Sequence, residues 1–135
     1  MTRVYRGHVG IGETVTGEAL VAHDNFSARY DLDRTQGIFT RPSHKLFGQS
    51  YKEKILILNA AKGGVATAWM LHDMITRGIA PAALILNAAN PIMAQGAAFA
   101  GLPMVDRFEV DITSVVESGA RVTVRPKEGE LIVDA

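Results

Sequence analysis

The stretch KILILNAAKGGVATAWMLHDMITRG, residues 54–78, decides the fold. Its first part, Lys54 to Asn59, is a continuous apolar run bounded by polar residues, the pattern of a strand covered on both faces. Gly63 and Gly64 then turn the chain. From Val65 to Arg77 the residues Thr67, Met70, Leu71, Met74 and Ile75 recur at helical spacing, and Gly78 supplies a stop. Working outward, Ala82 to Asn87 (AALILN) repeats the buried-strand pattern. Asn90 offers a helix cap and Pro91 a favoured first helical position, predicting a helix to about Ala100 that Gly101 and Pro103 end. A short apolar run, Pro103 to Val105, follows. The order strand, helix, strand, helix, strand predicts two right-handed crossovers and a small parallel sheet.

The flanks read as β structure. Arg3 to Ile11 and Gly17 to Ala22 are strand-like, punctuated by Gly7, Gly10 and Gly12. Residues 23–53 lack periodicity and are rich in turn formers, which predicts a long irregular segment around one short strand at Gly37 to Thr40. Phe26, Tyr30, Ile38, Phe39, Leu46, Phe47 and Tyr51 give that segment enough apolar anchors to pack down. At the other end Arg121 to Arg125 alternates strictly, Pro126 to Gly129 turns, and Glu130 to Asp134 returns as a second strand. The expected architecture is one domain over residues 1–135, an α/β centre in a β-rich shell.

Composition removes several functions. The 135 residues carry 14 acidic and 14 basic side chains, so no net field favours a nucleic-acid backbone. With no cysteine, disulfides, zinc–thiolate sites, a thiol nucleophile and a self-held iron–sulfur cluster are excluded. Asn87, Asn90, Pro91, Gln95 and Gly96 interrupt the longest apolar stretch, and MTRVYRGHVG lacks the apolar core of a signal peptide. A cytoplasmic protein that neither spans a membrane nor binds nucleic acid is expected.

Two constellations carry candidate chemistry. In Ala60 to Thr67 the glycines present free backbone N–H groups at a helix start, where partial positive charge favours a carboxylate or phosphate, and Lys62 adds a full charge. The spacing matches neither a P-loop nor a dinucleotide fingerprint; the alternative is a tight turn with a solvated lysine. The second group, Arg29, Asp31, Asp33, Arg34, Arg41, Ser43 and His44, combines guanidinium clamps with an imidazole and suits a small acidic substrate. Its alternative is a loop held by its own ion pairs. His8, His23 and His72 are scattered and show no zinc-helix spacing. Trp69 fits either the core or a subunit contact. Asn87, Asn90, Gln95 and Gly96 fall at the carboxyl end of a parallel strand, where such sheets bind ligands.

The order of GEALV (17–21), Tyr30-Asp31 to Thr35-Gln36-Gly37, Ser43-His44 to Gly48-Gln49-Ser50, the glycine turn and helix at 62–71, Gly78 to Ala82, Asn90-Pro91-Ile92, Gly96-Ala97 and Leu102 to Asp106 resembles the small subunit of aconitase X. The resemblance covers about residues 7–107. It implies a swivelling β/β/α domain of the aconitase type, closing over a large catalytic subunit that carries iron or an iron–sulfur cluster, while this chain binds none itself. It also implies dehydration of a small hydroxy acid, with hydroxyproline-like and phosphomevalonate-like substrates both in view. In that family the glycine turn ends in two serines, one of them resembling a base; here Gly64 and Val65 stand in those places and accept no proton. Anion binding then falls to Lys62, Gly63, Gly64 and Val65 at the helix start, with Arg29 and Arg41. Thr67, Ser43 and His44 become the candidates for proton transfer on this chain, the alternative being a base supplied by the large subunit. The competing class is a non-catalytic anion-binding or regulatory module.

Overall fold

The computed structural model describes residues 2–25, 32–33, 36–60, 65–89 and 91–134, with backbone alone at 65–68, 91 and 93. Along them run β1 (Thr2–Arg6), β2 (Val15–Val21), β3 (Leu32–Asp33), β4 (Ile38–Phe39), β5 (Ile55–Ala60), α1 (Val65–Arg77), β6 (Ala83–Ala88), α2 (Pro91–Ala100), β7 (Met104–Val105), α3 (Ile112–Val115), β8 (Arg121–Arg125) and β9 (Glu130–Asp134). The predicted strand, helix, strand, helix, strand series is present as β5 to β7. Asn90, the expected cap of α2, lies outside the described residues.

Seven strands form one sheet in the order β1-β9-β8-β2-β5-β6-β7. β2, β5, β6 and β7 are mutually parallel; β8, β9 and β1 continue the sheet antiparallel. The antiparallel strands thus continue the parallel ones within the same sheet. The strand expected from Arg3 to Ile11 ends at Arg6, because the chain there leaves β9 and crosses to the opposite edge. Gly10 N–H donates to Pro126 at 2.7 Å, His8 N–H to Asp106 at 3.0 Å, and Ile11 and Met104 exchange two bonds of 2.9 Å. This strap ties the Pro126–Gly129 turn to β7 at the far edge of the sheet. The crossing needs glycine: a Cβ on Gly7 would sit 2.6 Å from the Asp106 carbonyl oxygen, and one on Gly10 would overlap that of Met104.

The period of two in β5 and β6 divides the core between two faces. Leu56, Leu58, Leu84 and Leu86 pack with Leu71 and Met74 of α1, Ala97 of α2, and Phe39, Leu46 and Tyr51 of the irregular segment. Ile55, Ile57, Ala83 and Ile85 point the other way, onto Val122, Val124, Leu131 and the α3 region through Ile112 and Val116. Both faces are covered, which is why these strands read as unbroken apolar runs. Phe39 and Tyr51 are fully buried and dock the irregular segment, as its aromatic content predicts. The expected turn after β8 is a single 3-10 turn, Pro126–Glu128, closed by Gly129 at φ +66°.

Candidate functional site

β2, β5 and β6 all end on one edge of the parallel sheet. β5 stops at Ala60 and α1 begins at Val65, so the glycine connection opens from this edge. Lys62, Gly63, Gly64 and Arg29 lie outside the described residues. Val65 and Thr67 are the first and third residues of α1, within the turn whose N–H groups have no intrahelical acceptor.

A continuous row of polar side chains crosses the edge. The register pairs Leu58 with Leu86 and Ala60 with Ala88, which sets Asn59 beside Asn87. The Asn87 amide donates to Asn59 Oδ1 at 3.1 Å and to Asp111 Oδ1 at 2.7 Å, while its own Oδ1 accepts the Ile112 N–H at 2.8 Å. Its hydrogen-bonding groups are thus committed to fixing neighbours. Asp111 caps α3, accepting from Thr113 through the backbone N–H at 3.0 Å and the hydroxyl at 2.6 Å. His23 stands two residues beyond β2, with Nδ1 at 2.9 Å from Thr113 Oγ1 and 3.6 Å from Asp111 Oδ2. The Thr113 hydroxyl, followed by the Asn87 amide, holds the Asp111 carboxyl below its ordinary pKa of 3.8, against a small opposing effect of burial and with help from His23.

At the other end of the row Asn59 Nδ2 reaches Asn25 Oδ1 at 3.4 Å, and Asp24 gathers the irregular segment. Asp24 accepts the backbone N–H groups of Asn25 at 2.8 Å and Lys45 at 3.1 Å. Arg41 lies 3.8 Å away and bonds Ser43 Oγ at 2.6 Å. Burial works against ionisation of Asp24, but those two N–H bonds, with His44 and Arg41 nearby, outweigh it and lower its pKa from 3.8. Arg41, Ser43 and His44 are therefore brought together as expected, around an aspartate that the sequence reading did not single out.

His44, an expected candidate for proton transfer, is held among backbone groups of the irregular segment. The residue is only 3% exposed. Its Nδ1 accepts the Leu46 N–H at 3.0 Å, its Nε2 donates to the Asn25 carbonyl at 2.8 Å, and its ring stacks on Phe39 at 4.5 Å. A ring with both nitrogens bonded to backbone, and no exposed lone pair, fixes a loop. Along the same edge, beyond β6 and β7, lies a cavity of about 230 Å³ lined by His8, Ile11, Ala89, Met104, Asp106 and Arg107. Asp106 accepts the Ala89 N–H at 3.1 Å there.

A family model described as the aconitase X swivel domain matches residues 4–133. The chain belongs to the aconitase X swivel-domain family. It is 36% identical over 119 residues to the phosphomevalonate dehydratase small subunit of Methanocella arvoryzae, covering 88% of this chain and 90% of that one. The Thermococcus gammatolerans protein of the same name is 34% identical over 128 residues, 95% of each chain. The crystal structure of Thermococcus kodakaraensis aconitase X in its holo-form matches with a TM-score of 0.91 at 28% identity, over 98% of this chain and 99% of that one.

This swivel domain has no cysteine, and among the described residues no group of three His, Asp or Glu converges to hold a metal. The side chains among the described residues do not fit an iron centre. No helix among the described residues is long and apolar enough to cross a membrane. Trp69 is 63% exposed and Phe99 68%, with ring centroids 5.7 Å apart and His72 beside both. Trp69 is thus no part of the core.

Proposed function

We propose that this chain is the swivel-domain small subunit of a cytoplasmic two-subunit hydro-lyase that dehydrates phosphomevalonate or a closely similar hydroxy acid. The single domain spans residues 1–135 and closes over a large subunit that supplies the iron or iron–sulfur centre. The observation that carries this reading is likeness along nearly the full length of both chains to phosphomevalonate dehydratase small subunits. The same reading assigns the substrate anion to Lys62 and to the backbone N–H groups of Gly63, Gly64 and Val65, with Arg29 and Arg41 as flanking cations. Thr67 and Ser43 are the hydroxyl groups available to it.

The test is oxygen-free co-purification with the large subunit followed by turnover of phosphomevalonate, with cis-3-hydroxyproline as the second substrate. A larger iron-bearing chain in fixed ratio and loss of water from phosphomevalonate are expected; the isolated small chain is inactive. Lys62→Ala raises KM about tenfold, the effect of one lost charge-assisted contact of roughly 1.5 kcal/mol. Thr67→Val with unchanged kinetics removes Thr67 from the machinery. A pair that binds the anion without turnover identifies a binding module and ends the hydro-lyase reading.

A further inference from the structure

We propose that His23 is the group on this chain that takes the substrate proton, with Thr113 and Asp111 as its positioning residues. The inference rests on the dehydratase reading above and supplies what Gly64 and Val65 cannot: a side chain able to accept a proton.

Hydrogen-bond bookkeeping sets the ring. The Thr113 hydroxyl lies 2.6 Å from Asp111 Oδ1, and an ionised carboxylate only accepts, so the hydroxyl proton is in that bond. Thr113 Oγ1 therefore meets His23 Nδ1, 2.9 Å away, with a lone pair. Nδ1 must carry the hydrogen, and in the neutral ring Nε2 keeps the lone pair. The ring is 60% exposed, and among the described residues Nε2 has no partner. Asp111 Oδ2, 3.6 Å from Nδ1, faces the positive charge that appears when Nε2 is protonated. The unit has the logic of a base oriented by a second group that a third holds in turn.

Its place suits the reaction. Asn59 N–H donates to the Asp24 carbonyl at 2.8 Å, so the turn carrying His23 lies against the end of β5. The glycine connection assigned to the anion leaves the same strand one residue later. In the dehydration, Nε2 takes the proton from the carbon next to the carboxylate, forming N–H as C–H breaks. The released electron pair becomes the C=C bond as the neighbouring C–O bond breaks. The hydroxide departs with its pair and takes a proton from solvent to become water, and the imidazolium returns its proton to solvent, so the net loss is one water.

The test uses the assembled two-subunit enzyme with phosphomevalonate. His23→Gln is expected to lower kcat at least about 100-fold, in the range of general-base catalysis, with KM changed less than about threefold. Thr113→Val, which leaves the base but frees its ring, lowers kcat about tenfold. Nitrogen-15 NMR of the imidazole in the wild-type pair shows a protonated Nδ1 and a bare Nε2, a preference that Thr113→Val abolishes. His23→Gln with kcat within threefold of wild type overturns the inference while the dehydratase reading stands. A wild-type pair that does not turn over phosphomevalonate defeats that reading and the inference with it.

Discussion

His44 and His23 each have an aspartate close by, and they differ in burial and in what their ring nitrogens meet. His44 is buried, stacked on Phe39, with Nδ1 and Nε2 spent on the backbone of Leu46 and Asn25. His23 is more than half exposed and spends only Nδ1, on Thr113. The two rings are also opposite tautomers, because His44 must donate from Nε2 to a carbonyl whereas His23 must donate from Nδ1 to a hydroxyl whose proton is engaged. Where the remaining lone pair points decides the role. In His44 a backbone N–H fills it; in His23, among the described residues, Nε2 meets no partner.

Stability measurements separate the two most sharply. His44→Ala strands the Leu46 N–H and the Asn25 carbonyl and opens a gap against Phe39. By the usual magnitudes for buried unpaired groups and lost packing it costs about 3 kcal/mol. His23→Ala, at an exposed position, changes stability by under about 1 kcal/mol. Chemical denaturation of the two variants against wild type checks the contrast, and equal losses would erase it.

A smaller effect is expected midway along the polar row. Asn87→Leu removes the donors to Asn59 and Asp111 and the acceptor for Ile112, costing about 2 kcal/mol. The loss of the Asp111 contact also loosens the Thr113 and His23 geometry. The predicted signature is lower stability together with a weaker tautomer preference at His23 and an unchanged one at His44, read by nitrogen-15 NMR. A shift at both rings would mean that the row acts as one unit.

Much of the scaffold was legible because burial on two faces leaves a mark in sequence. ILILNA and ALILNA announce the central strands, and helical spacing followed by Gly78 announces α1. The polar row was half legible: both strands carry an asparagine as their penultimate residue, yet only the register of β5 against β6 makes Asn59 and Asn87 neighbours. The His23 unit left no spacing to read, since its members lie 90 residues apart and depend on α3, a helix of four residues with no periodicity of its own. Gly7 and Gly10, read as punctuation within a strand, mark where the strap passes close to Asp106 and Met104. Trp69 had two readings until its exposure removed the core from them.

Acid titration gives the finest comparison. Asp24 beside His44 and Asp111 beside His23 both have pKa values lowered from 3.8 in the folded chain. A carboxyl lowered on folding adds stability above its unfolded pKa, and that contribution disappears as the pH falls from there through the lowered folded value. Wild type therefore loses stability below about pH 4, and Asp24→Asn and Asp111→Asn each start less stable at pH 7 and lose less on acidification. The Asp24 side chain is 20% exposed against 43% for Asp111, so the expected outcome is that solvent and salt screen the second more strongly. Melting temperatures at pH 7, 4 and 3 in low and high salt test this order. Asp24→Asn flattens the acid loss in both salts, whereas the smaller change in Asp111→Asn fades when salt is raised. Equal flattening by both variants would show that the two aspartates sit in equivalent fields, and the contrast between the clusters would then rest on the histidine lone pairs alone.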